Sequence, residues 1–159
     1  MIERVDSESR ASESDHLSIR VWLRILACAN LIEGRVRSGL REEFETTLPR
    51  FDLMAQLERV PGGLKMNEIS RRMMVTDGNI TRITEQLVQE RLVSRTVAPD
   101  DQRAAIVRLT AAGRRVFADM ARAHESWIVS MFGGLSETQL TELHGLLARL
   151  KNHLTSGGE

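Results

Sequence analysis

Apolar residues at Trp22, Ile25, Ala29, Ile32, Val36, Leu40 and Phe44 recur every three or four positions, the period of one long helix. Gly34 and Gly39 inside it each cost about 1 kcal/mol relative to alanine, which leaves room for a bend or a close approach. Pro49 suits the first turn of a second helix, predicted to run to about Arg59 with Phe51, Met54 and Leu57 inward. Val60-Pro61-Gly62-Gly63 stops it. Asn67 to Met74 then predicts a short helix with Ile69 and Met73 inward, and Val75 to Gly78 a turn. Thr76 is a good N-cap for the next helix, which is expected to reach Gln89 or Arg91. Ile80, Ile83 and Leu87 share its inner face, while Gly78, Thr81, Arg82, Glu85 and Gln89 fall opposite at 100° per residue.

The period then changes. Leu92 to Val97 and Ala104 to Leu109 are rich in β-branched residues and read as two strands, joined by a tip with Pro99, Asp100, Asp101 and Arg103. A lone two-stranded hairpin is marginal in water, so it is expected to lean on the two short helices. Thr110 caps a further long helix through about Met131, carrying Val116, Met120, Ala123, Trp127 and Met131, and Gly133-Gly134 breaks it. Ser136-Glu137-Thr138-Gln139 fits a capping box, and Leu140, Leu143, Leu147, Leu150 and Leu154 stripe the last helix. Helix, helix, turn, helix, strand, turn, strand is the order of a winged helix-turn-helix. The expected fold is therefore mainly α with a small β-hairpin wing.

Composition narrows the class. At 159 residues the chain has the length of about one domain, and 42% hydrophobic with 28% charged residues is ordinary globular usage. Net charge is zero, yet it is unevenly spread. Residues 1–16 hold five acids against Arg4 and Arg10, whereas residues 17–41 hold Arg20, Arg24, Arg35, Arg37 and Arg41 against Glu33 alone. Residues 1–15 are polar and aperiodic, the pattern of a flexible tail. A single cysteine, Cys28, has no internal disulfide partner, which fits a reducing cytosol. No signal peptide and no apolar run long enough to span a bilayer is evident.

The run "LKMNEISRRMMVTDGNITRITEQLVQERLVSRTVAPDDQRAAIVRLTAAGR", Leu64 to Arg114, resembles the MarR family of bacterial transcriptional regulators. The joint pattern of DGNITR, an LVxR strand, DxR at the wing tip and VRLTxxG carries the resemblance, which extends over roughly residues 17–155. Lys65 departs from it, standing where the family often has Ser or Thr, so that cap falls to Asn67 or is missing. The resemblance implies residues 1–15 as a tail and 16–159 as one domain. Within it, helices over 16–48 and 110–155 would form a homodimer around a winged helix-turn-helix at 50–109. It also implies a double-stranded DNA operator, with no cofactor, no metal and no membrane.

A recognition helix places its N-terminal residues nearest the base edges, which nominates Thr76, Asp77, Gly78, Asn79, Thr81 and Arg82. Arg82 suits a guanine or a phosphate, and Asn79 an adenine edge, a phosphate or a helix cap. Resemblance implies that Arg103 enters the adjacent minor groove, with Asp101 orienting its guanidinium. Arg71, Arg72 and Arg95 suit phosphate contacts or solvated surface charge. A net charge of +2 between Lys65 and Arg108 is a thin footprint that a dimer doubles.

The resemblance further implies an effector pocket, often for aromatic acids, with candidates Arg20, Trp22, Arg24, Phe51 and Met54. Core packing is the competing reading for Trp22, Phe51 and Met54. The arginine excess suits a multiply charged ligand. Resemblance to family members that sense aromatic acyl-CoA thioesters implies a hydroxycinnamoyl-CoA thioester and, as the family default, a repressor of an aromatic-acid catabolic operon. A thiol-responsive or metal-responsive regulator and a protein-docking scaffold are the alternatives. Cys28, between Ala27 and Ala29, is expected to be a buried, inert thiol. His16, His124, His144 and His153 show no H-x-x-x-H spacing, and no catalytic motif is present, so an enzyme is not expected.

Overall fold

A computed structural model describes residues 16–73 and 77–157, with the backbone but not the side chains of Asp77 and Gly78. The expected tail at 1–15 and the Thr76 cap lie outside the described residues. The elements are α1 (Leu17–Phe44), α2 (Leu48–Glu58), β1 (Leu64–Lys65), α3 (Met66–Met73), α4 (Asp77–Gln89), β2 (Val93–Ala98), β3 (Asp101–Leu109), α5 (Ala111–Met131) and α6 (Glu137–Thr155). The chain divides between Glu125 and Ser126 into two compact units.

The first unit holds the core. Leu40 of α1, Leu53, Met54 and Leu57 of α2, Ile69 of α3 and Ile80 and Leu87 of α4 are all buried, as are Val93 and Val107 of the sheet. Spacings of three and four on the helices and of two on the strands bring these side chains onto single faces. Phe51 stacks on Phe117 of α5 with ring centroids 5.5 Å apart and lies 5.1 Å from the His124 ring.

The hairpin is not alone. β1 pairs antiparallel with β3, Leu64 opposite Val107 and Lys65 opposite Ile106, so the wing is rooted in a three-stranded sheet of order β1-β3-β2. This corrects the expectation of a two-stranded finger resting on helices alone. The signal was too short to read, because two residues have no period. Gly63, at φ +88°, makes the pairing possible: a Cβ there would lie 2.6 Å from the Arg108 side chain and 2.7 Å from the Val107 carbonyl oxygen.

The T-x-x-G of the wing's exit is a staple. Thr110 Oγ1 donates to the Arg91 carbonyl at 2.8 Å and accepts the Gly113 N–H at 2.9 Å, joining the start of α5 to the end of α4. Gly113 is buried against the Leu92 carbonyl, where a Cβ would meet the oxygen at 1.9 Å. At α3, where the sequence offers Asn67 as a cap or none, Glu68 supplies the reciprocal half of a capping box: its carboxylate accepts the Lys65 N–H at 2.8 Å.

In the second unit, Ser136 caps α6 through the full reciprocal box. Its hydroxyl accepts the Gln139 N–H, and the Gln139 side chain accepts the Ser136 N–H. No residue of α6 is buried. No described helix is long and apolar enough to cross a membrane.

Candidate nucleic-acid interface

The inner face of α4 is as the spacing predicts: Ile80, Ile83 and Leu87 are buried. Arg82, Glu85 and Gln89 are exposed on the other side, with Asn79 and Thr81 half-buried. Thr84 also points inward, fully buried, and its hydroxyl has no hydrogen-bond partner. Arg71 and Arg72 are exposed in the last turn of α3, where positive charge complements the helix dipole. Arg95 is exposed on β2.

The wing tip has a specific geometry. Val97 pairs with Ala105 and Ala98 with Asp101, so residues 102–104 bulge out of the ladder with Arg103 at their centre. Bulges re-aim side chains, and this one presents an exposed guanidinium with no partner among the described residues. Asp101 Oδ1 accepts the Arg103 backbone N–H at 2.9 Å. The expected grip on the guanidinium is thus replaced by a grip on the backbone, which fixes the bulge and leaves the cation to solvent. Asp100, next to the tip, pairs with Lys65 Nζ at 3.0 Å, and this hydrogen bond lowers the Asp100 pKa from its ordinary value. Lys65, which stood out as a departure in sequence, thereby connects β1 to the wing.

The candidate effector residues differ in exposure. Phe51 and Met54 are core, 7% and 1% exposed. Trp22 is 56% exposed, which removes its core-packing reading within the single chain. Arg20 and Arg24 are exposed on the same end of α1. Farther along, Arg37 and Arg41 line an open depression of about 460 Å³ with Glu45, Thr46, Thr47 and Leu48 at the α1–α2 corner. The arginine excess over residues 17–41 was the only sequence signal for this pair. Nearby, burial raises the Asp52 pKa from its ordinary value, opposed by the charges of Arg37 and His124 and assisted by that of Glu33. Cys28 is exposed, which corrects the expectation of a buried thiol: it lies one residue past the inward-facing Ala27, on a helix face that no described residue covers.

A helix pair with an exposed polar reading face, a bulged arginine-tipped wing and a shared core defines a winged helix-turn-helix DNA-binding protein. The description "MarR family" applies to a family profile that matches residues 45–104, from the α1–α2 corner to the wing. Over those residues the chain is similar to the MarR family, and the comparisons support a DNA-binding transcriptional regulator. It is 27% identical over 156 residues to the transcriptional activatory protein BadR of Rhodopseudomonas palustris, covering 94% of this chain and 87% of that one. To the transcriptional repressor MdtR of Bacillus subtilis it is 24% identical, covering 86% and 87%. The crystal structure of a MarR family regulator from Silicibacter pomeroyi superposes with a TM-score of 0.74 at 27% identity, covering 91% of this chain and 99% of that one.

Proposed function

We propose that this regulator binds a pseudo-palindromic operator as a two-fold dimer and represses an aromatic-acid catabolic operon until a small aromatic effector releases it. The bulged Arg103, with no guanidinium partner among the described residues, carries the DNA reading: such a cation suits the narrow minor groove, while Asn79, Thr81 and Arg82 suit the adjacent major groove. Asp77 and Gly78 belong to the same reading by their place at the start of α4. Arg71, Arg72 and Arg95 serve as phosphate contacts. Dimerisation is supported by apolar surface that the described residues leave open: Leu146 and Leu154 of α6 are 61% and 69% exposed. Two-fold symmetry then sets half-sites about one helical turn apart.

The effector is an aromatic carboxylate or its CoA thioester. Arginine suits carboxylate and phosphate, and the α1 arginines supply the charge while Trp22 supplies an exposed aromatic face. The Arg37–Arg41 depression is a second seat of fitting chemistry. One similar protein is named an activatory protein and another a repressor, so the sign of control is a separate readout. The exposure of Cys28 favours one further reading, a thiol-responsive regulator of the same fold.

Binding to DNA upstream of its own gene, with and without hydroxycinnamates, their CoA thioesters, a peroxide and zinc, tests the proposal. Release by a CoA thioester alone supports it; release by peroxide alone transfers the sensing role to Cys28. Arg103→Ala is expected to weaken specific binding by about 1–3 kcal/mol with an unchanged melting temperature. An unchanged affinity would remove the wing from the interface.

A further inference from the structure

Ion pairs among the described residues differ in what they connect. Arg37–Glu33 and Arg122–Asp119 are exposed pairs within one helix, a kind that contributes little and positions nothing. Lys65–Asp100 joins two elements, but Asp100 is 70% exposed. The Arg50–Glu90 pair is of another kind. Arg50 is the third residue of α2, and its side chain is only 15% exposed. Its Nη2 donates to the carboxylate of Glu90, the residue that follows α4. The two partners are forty positions apart in sequence.

Two observations show that this placement is not a by-product of easy packing. Arg50 Nε is buried with no hydrogen-bond partner, a cost that an apolar side chain of similar length would avoid. Glu90 is also held from the backbone side: its N–H donates to the Gln86 carbonyl, and the following Arg91 takes φ 60° so that the Leu92 N–H closes on the Leu87 carbonyl at 2.9 Å. The carboxylate therefore sits at the fixed C-terminal end of α4, and Arg50 ties that end to the start of α2.

We propose that Arg50 and Glu90 are positioning residues that set the tilt of α4 against α2, and through it the alignment of Asn79, Thr81 and Arg82 with the base edges. The inference rests on the reading of α4 as the recognition helix. A helix of 13 residues is about 20 Å long, so a small rotation at its anchored end displaces its reading end by ångströms. Base recognition needs bidentate geometry and loses most from such a shift. Phosphate attraction, which depends on charge number, loses least.

The test uses a DNA duplex selected from a random pool by the wild-type protein, and measures affinity for it and for unrelated duplex across a salt series. Arg50→Met and Glu90→Gln are expected each to weaken specific binding about tenfold, with non-specific affinity and the salt slope unchanged. The double variant is expected to be no weaker than the poorer single one. Glu90→Gln leaves a buried cation without its counter-charge; should it unfold in the assay range, Arg50→Met and the double variant, which bury no such charge, decide the outcome.

A salt slope reduced by about one in Arg50→Met, with Glu90→Gln harmless, would make Arg50 a phosphate contact and overturn the proposal. So would melting temperatures that fall while both affinities stay at the wild-type value. Arg82→Ala separates the two levels of inference. If it weakens specific binding and the Arg50 and Glu90 variants do not, the positioning role alone fails. If Arg82→Ala has no effect either, the reading of α4 fails with it.

Discussion

Within the first unit, Leu40, Leu53, Ile69, Leu87 and Val107 are fully buried by their own chain, drawn from helices and strands far apart in sequence. In the second, α6 has an equally regular leucine stripe and a complete capping box, yet buries nothing. Both segments satisfy the same local rules of period and cap. They differ in whether the described residues supply the opposing surface. A stripe is a demand for a partner, and in α6 that demand is open to a second copy.

Leucine truncations sharpen the contrast most. Leu87→Ala removes a fully buried side chain and is expected to cost about 2–5 kcal/mol in urea unfolding. Leu147→Ala, at a side chain 41% exposed, should change unfolding by less than about 0.5 kcal/mol in dilute protein. Its effect is expected instead in the concentration dependence of stability and in the dimer fraction by sedimentation. Equal losses at both sites, independent of concentration, would break the comparison.

Gly113→Ala tests how tightly the first unit is closed. The new methyl would overlap the Leu92 carbonyl oxygen, with an expected loss of about 3 kcal/mol in the same experiment. Gly134→Ala, where nothing lies within 4 Å, is the matched control outside that unit.

Thr84→Val runs the other way. It removes a buried hydroxyl that has no partner and preserves shape, so a gain of about 1 kcal/mol in unfolding free energy is expected. A loss would reveal a hydrogen bond that forms in solution.

The smallest effect concerns pH. Burial raises the Asp52 pKa, so the folded state holds that proton more firmly than the unfolded chain. Its contribution is fully present below the ordinary carboxylate value of 3.8 and is lost as pH rises through the elevated folded value. Asp52→Asn is expected to flatten that stretch of the stability–pH curve and to leave the curve near neutrality level or slightly higher. A steeper curve in the variant would reverse the assignment.

Much of the fold was legible along the chain. The periods located α2, α5 and the starts of α1 and α6 within a residue or two, and Ser136 and Thr110 stand out as helix caps. The inner face of α4 followed directly from Ile80, Ile83 and Leu87. Legibility ended where function depends on distant pairing. β1 is too short to have a pattern, and Asp101 could be placed beside Arg103 but not assigned to its backbone. Trp22 and Phe51 looked alike as apolar helix residues; one proved exposed and the other stacked in the core.

The sequence by itself determined the helices, the caps at Ser136 and Thr110 and the inner faces of α2 and α4, because those depend on residues at most a few positions apart. Only the tertiary structure decided that Lys65 reaches the wing, that Arg50 holds Glu90 and that Arg103 stands at a bulge. Such contacts are set by how whole elements pack. A linear period specifies which face a helix buries, but not which residue forty positions away will meet it there.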